Sequence, residues 1–282
     1  MTTRTYHYHA SAHALSGELT RPVPHVIEVQ AGISLPSTGG AGSSNVENFR
    51  VDQVVSFNRA YSHVAGSVKQ ENGKTTHTTH ATATIEGLNI LDVVTADRVV
   101  ARLSSSFEEP PRAKPGPYEG NVLLVGSKFE NLRIAGYRVE VELDHKLFLG
   151  LGTFAAVMDH FKSKQSKLRE IAMETLKARG VNRELPKELA PAGPLLCSVV
   201  KQVHFKDPAC GTREREGEFD HPGVEPIGRH AYHVVDFGDV FFSEVLCQHA
   251  RKTLTMLRVE LGSPNGGGLV GAEVTVNGWP PW

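Results

Sequence analysis

Residues 1–149 are dominated by short runs of Val, Ile, Thr, Tyr and Phe, set apart by clusters of Gly, Pro, Ser and Asn. Residues 23–33, 51–68, 76–91, 93–103, 122–129 and 133–143 have the composition of strands. Pro36-Ser-Thr-Gly-Gly-Ala-Gly-Ser-Ser and Pro110-Pro-Arg-Ala-Lys-Pro-Gly-Pro read as the turns that divide them. In Tyr137-Arg-Val-Glu-Val-Glu-Leu the alternation puts Tyr137, Val139, Val141 and Leu143 on one face, as in a half-buried antiparallel strand.

Asn72-Gly73 is the strongest local signal. Both residues tolerate positive φ, as a two-residue type I′ turn requires, and β-compatible runs flank them. If Glu71 and Lys74 flank the turn, Val68 opposes His77, Ala65 opposes His80 and His63 opposes Thr82. The expected core face then carries Val64, Gly66, Val68, Ala81, Ala83 and Ile85. His63 and His80 become diagonal neighbours on the polar face, about 7–8 Å apart at Cα.

From residue 153 the period changes. Phe154, Val157, Met158, Phe161, Leu168, Ile171 and Ala172 recur at helical spacing, with Gly180 placed as the C′ residue. This predicts one long amphipathic helix over residues 154–179, about 39 Å long at 1.5 Å per residue. Prolines at 186, 191 and 194 follow, then the strand-like Leu195-Leu-Cys-Ser-Val-Val-Lys-Gln-Val-His-Phe. An acidic loop and strands near 240–248, 253–261 and 270–276 complete the chain. The expected organisation is a β domain over 1–152, a helical insertion over 153–194, and C-terminal strands over 195–282 that complete the β domain. The fold class is mainly β, a β-sandwich, with a β-solenoid-like stack as the alternative.

Composition narrows the function. The 282 residues carry 30 basic and 31 acidic side chains, a net charge of −1, which argues against a nucleic-acid partner. Three cysteines (Cys197, Cys210, Cys247) form no CxxC pair and are expected as free thiols. No run of about 18 apolar residues predicts a transmembrane helix, and the N-terminal residues lack a signal-peptide pattern, so a cytoplasmic location is expected.

Fourteen histidines are the main chemical feature. His63 and His80, and the group His221, His230 and His233 with Glu225 and Asp236, supply imidazoles and carboxylates of the type that bind zinc or iron. They are the candidate metal ligands for a metal-dependent enzyme, the alternative function; the leading expectation is no cofactor and no catalytic residue. Gly150-Leu-Gly-Thr-Phe-Ala matches GxGxxA, but no βαβ alternation surrounds it, and the glycines read as a sheet-to-helix turn. Leu35-Pro-Ser-Thr-Gly matches LPxTG far from the end of the sequence and reads as a Pro/Gly loop.

Three stretches taken together resemble a known family. They are Ala12-His-Ala-Leu-Ser-Gly, then Ala83-Thr-Ile-Glu-Gly-Leu-Asn-Ile-Leu-Asp-Val-Val-Thr-Ala-Asp, then Ser127-Lys-Phe-Glu-Asn-Leu-Arg-Ile-Ala-Gly with Gly150-Leu-Gly-Thr. In order and type they resemble the choice-of-anchor P family of bacterial β proteins over residues 10–155. The resemblance implies a surface or exported β protein and supplies no catalytic residues. Many short strands leave sheet edges to be paired, and Trp279 and Trp282 in Val276-Asn-Gly-Trp-Pro-Pro-Trp have the character of interface anchors. The leading expectation is therefore a non-catalytic structural or assembly protein that forms a homo-oligomer.

Overall fold

The computed structural model describes residues 6–109, 119–163, 165–181, 193–206 and 221–279, with residues 277–279 described by backbone alone. The chain runs β1 (His7–Arg21), β2 (His25–Gln30), β3 (Ile33–Ser34), β4 (Gly40–Val51), β5 (Val55–Glu71), β6 (Lys74–Ile90) and β7 (Val94–Glu108). Short strands follow: β8 (Asn121–Leu123), β9 (Lys128–Glu130), β10 (Leu132–Ile134) and β11 (Tyr137–Leu143). Helices α1 (Phe154–Lys162) and α2 (Lys167–Ala178) lead to β12 (Leu195–Ser198), β13 (Val200–Lys206), β14 (Val224–Gly228) and β15 (Ala231–Val234). Last come β16 (Gly238–Gln248), β17 (Arg251–Leu261) and β18 (Gly266–Trp279).

The protein is mainly β, in two nine-stranded antiparallel sheets. Sheet one has the order β14-β15-β16-β17-β18-β1-β2, with β12 on β16 and β3 on β1. Sheet two has the order β13-β11-β10-β7-β6-β5-β4, with β8 and β9 on β7. Strands β1 and β18 lie over β5, β6 and β7. The apposed rows are small: Ala10, Ala12 and Ala14 in β1, and Val64, Ala81 and Ala83 in sheet two, all buried. A Cβ on Gly66 would come within 2.7 Å of the Tyr8 ring and of Leu35, so a side chain there would push the sheets apart.

The Asn72-Gly73 hairpin has the expected register, with Val68 opposite His77, Ala65 opposite His80 and His63 opposite Thr82. Both turn residues have positive φ, 51° and 75°. One side chain departs from expectation. Val68 is 56% exposed, because the hairpin overhangs the cover of sheet one, and His77 opposite it takes the buried position under Tyr6.

The expected single helix over 154–179 is two helices. No apolar residue occurs between Phe161 and Leu168, so two turns of a continuous helix would have no core contact. The chain breaks instead at Ser163, which has an extended ψ of 125°, and Ser166 starts α2. Thr153 caps α1 by accepting a hydrogen bond from the Ala156 amide at 3.0 Å. Gly180 ends α2 as expected. At φ +70° it donates to the Lys177 carbonyl, while Val181 donates to Leu176, the two bonds of a Schellman motif.

A second departure is β4. From Gly40 onward the Gly/Ser stretch expected as a turn is strand, paired with β5 from Gly40–Gly66 to Val51–Val55. Pairing to an ordered neighbour outweighs the low intrinsic β-preference of Gly, Ser and Asn. The preceding Leu35-Pro-Ser-Thr-Gly is a turn tied to β1, with the Tyr8 amide on Ser37 and the Leu35 amide on Ala10. The Pro/Gly stretch over 110–117 and Cys210 lie outside the described residues.

Candidate functional site

Of the five histidines expected as metal ligands, the fold brings two together. His63 and His80 share the outer face of β5 and β6, and His80 is held below its ordinary pKa by partial burial, the Arg102 guanidinium and His63. Arg102, which also donates to Thr82 Oγ1 at 3.4 Å, is a positive charge near His80 that would oppose a bound cation. The other three are apart. His221 stacks on Phe205 at 5.2 Å and tilts over Tyr137 at 4.8 Å. His230 is buried 3.5 Å from Glu244, and His233 pairs with Asp239 at 2.7 Å. Among the described residues no three His, Cys, Asp or Glu side chains converge as a metal site. The backbone of Trp279 ends β18 opposite His7, and Trp282 lies outside the described residues.

Two buried polar clusters have no counterpart in the sequence reading. In the first, Tyr8 OH lies 2.9 Å from His77 Nδ1 and His77 Nε2 lies 2.8 Å from Glu109 Oε1. A carboxylate only accepts, so Nε2 donates to Glu109, while Nδ1 has the phenol as its partner. Tyr6 stacks on the imidazole at 4.1 Å. Burial raises the pKa of both phenols, and the Glu109 charge adds to the effect at Tyr8. The backbone at Gly39 and Gly66 closes on the Tyr8 ring, and this hydrogen-bonded chain acts as a clasp between β1 and the β6–β7 end.

The second centres on Glu244, 2% exposed, in the otherwise apolar run Val240-Phe-Phe-Ser-Glu-Val-Leu. Positive φ at Ser243 (49°) marks an irregularity that flips the alternation and turns Glu244 away from the face occupied by Phe242. Arg179, at the end of α2, reaches its oxygens at 3.0 and 3.1 Å, and Arg258 Nε lies at 3.4 Å. Burial alone would raise this carboxyl; His230 and the two guanidinium groups outweigh it and hold the pKa below the ordinary value. The His230 contact is too long and misaligned to be a hydrogen bond, and His230 Nε2 and Arg258 Nε have none. Arg179 also pairs with Glu260 and lies over the Phe241 ring at 4.4 Å.

Nucleophile chemistry has weak support in the core. Cys197 and Cys247 are free, buried and on one face of the β12–β16 pair. The neighbouring Cys247 thiol and burial push the Cys197 thiol well up, away from the thiolate. Lys252, opposite Cys247 and 1% exposed, donates to the Gly152 carbonyl at 3.2 Å, and burial lowers its pKa. At the Gly150 motif, the first amide of α1 is taken by Glu119 at 2.6 Å, so the protein's own carboxylate sits where a nucleotide phosphate would bind. An open cleft of about 570 Å³ lies between β13 and β14, lined by Lys201, Val203, Ile227, Arg229 and Tyr232. Burial pushes the Tyr232 phenol up to about 12. Both cations at the cleft are already paired, Lys201 with Glu142 and Arg229 with Glu174.

The sheets remain open at their ends. Strands β2 and β14 end sheet one, and β4 and β13 end sheet two. Among the described residues no helix is long and apolar enough to cross a membrane.

A family model with the description Domain of unknown function (DUF8256) matches residues 6–248. The chain belongs to that family. No curated protein and no solved structure matches it. In this DUF8256 chain the match runs from the start of β1 to the end of β16, yet β17 and β18 lie between those two strands in sheet one. The physical unit is therefore longer than the matched segment.

Proposed function

We propose that this protein is a non-catalytic structural component, a β-sandwich that self-associates through its sheet edges. The observation that carries the reading is the set of open edges. Each of β2, β4, β13 and β14 is hydrogen-bonded to a neighbouring strand on one side only among the described residues. Unpaired strand edges favour pairing with another chain unless they are guarded. The resemblance to choice-of-anchor P proteins points the same way, toward a surface or exported role. Trp279 and Trp282 would add aromatic anchors to such an assembly. The test is native mass against concentration, by light scattering from low to several hundred micromolar, with metal analysis of the same sample. Concentration-dependent assembly without stoichiometric metal is the expected result; a monomer throughout would overturn the reading.

A further inference from the structure

We infer that residues 40–46 of β4 pair with the same segment of a second copy, antiparallel about Ser43, so that two copies of sheet two become one continuous sheet. The inference rests on the self-association proposed above and names the edge that carries it.

The strands that end the two sheets differ in how they are guarded, and β3, β8, β9 and β12, which also pair on one side, are only two to four residues long. Natural edge strands avoid pairing by being short, by carrying Lys or other charges, by proline, or by a bulge. Strand β14 has five residues and contains Glu225 and Pro226. Strand β13 carries Lys201 and Lys206, each paired back to a glutamate of β11. Strand β2 has six residues, includes Glu28, follows Pro22 and Pro24, and meets β1 across a break in register. Strand β4 has 12 residues, about 40 Å at 3.4 Å each. Its second half is guarded: Asn48 has φ 55° and drops out of the register with β5, and Glu47 and Arg50 flank it. Residues 40–46 are Gly-Ala-Gly-Ser-Ser-Asn-Val, with no charge, no proline and no bulge. Among the described edge strands of five residues or more, it is the unguarded stretch.

The backbone directions follow from a side chain. His63, on β5, donates from Nδ1 to the Gly42 carbonyl at 3.2 Å, so that carbonyl faces β5. Directions alternate along an antiparallel strand, which turns the N–H and C=O groups of Ala41, Ser43 and Asn45 outward. A two-fold axis at Ser43 then joins Ser43 to Ser43 and Ala41 to Asn45 as hydrogen-bonded pairs. No like charges meet, and the small side chains let the second backbone approach. Pairing to β5 along this whole segment holds the edge in strand form before the second copy arrives, which lowers the ordering cost of docking.

The experiment uses the full chain. Ser43→Lys sets two ammonium groups beside one another at the axis, and Ser43→Glu sets two carboxylates there. Each alone should raise the concentration needed for association at least tenfold, with the circular dichroism spectrum and melting temperature retained. An equimolar mixture of the two should restore association, whereas Val26→Lys on β2 should leave it unchanged. Ser43→Cys should give a covalent dimer on mild oxidation, since a hydrogen-bonded pair has its Cα atoms about 5.5 Å apart. The cysteine variant decides the matter if the charged variants misfold. Self-association that is indifferent to Ser43→Lys, or absence of a Ser43→Cys dimer from an associating protein, overturns this edge and leaves the proposed function standing. A wild-type monomer at several hundred micromolar overturns both.

Discussion

The clasp formed by Tyr8, His77 and Glu109 and the cluster around Glu244 both place polar groups inside β structure, but they are satisfied in opposite ways. In the clasp each hydrogen bond is short and uses a donor and acceptor of matching type, at 2.9 and 2.8 Å. Its charge, on Glu109, stays 46% exposed and keeps its water. Around Glu244 the charge itself is buried, and two guanidinium groups and an imidazole crowd it while His230 Nε2 and Arg258 Nε stay without a hydrogen bond. A hydrogen-bonded relay that ends at the surface is a modest stabiliser with little at stake. A buried ion cluster is costly to assemble and more costly to break.

That contrast sets the order of expected losses. Glu244→Ala leaves Arg179 and Arg258 without their shared carboxylate, and urea unfolding should show a loss of about 3–5 kcal/mol; a loss below 1 kcal/mol would mean that the guanidinium groups find other partners, Glu260 first. Tyr8→Phe leaves His77 Nδ1 unpaired in the core and should cost about 1–3 kcal/mol in the same measurement. Glu109→Gln should cost about 1 kcal/mol or less, because that end of the relay is hydrated. The two clusters should also separate by pH. The Glu244 pKa is lower folded than unfolded, so its contribution is fully present above the ordinary value of 4.5 and is lost as pH falls from there through the depressed folded value. A melting curve taken from pH 6 to pH 3 should therefore fall less steeply in Glu244→Gln than in the wild type, and parallel curves would remove the buried carboxylate from the explanation.

Local chemistry made the Asn72-Gly73 hairpin legible, since turn geometry alone sets its register. The break in the helix was equally open to reading: residues 162–167 are six polar positions in a row, and the repeat before and after them hid that gap. Glu244 stands as the one acid within the run 240–247, among mostly apolar residues, a visible sign of a buried charge. Strand β4 could not be read, because its residues favour turns and only β5 makes them a strand. The clasp could not be read either, since Tyr8 and His77 are 69 positions apart. The histidine clusters misled for a related reason. Closeness in sequence is not convergence: His230 turns into the interior toward Glu244, while His233 pairs at the surface with Asp239.

The place of β17 and β18 between β16 and β1 also bears on how the molecule is made. Sheet two gains its long hairpins from consecutive strands, β4 to β7, as soon as they emerge. Strand β1 gains its main partner only when β18 exists, with His7 waiting for Trp279. At about 5–20 residues per second, that interval is roughly 14–54 s. Throughout it, β1 presents a bare side, so of the two sheets the one begun first is completed last. The ribosome, in effect, holds the sandwich open with its first strand unattended, and that interval is when a nascent chain most needs shielding from its neighbours.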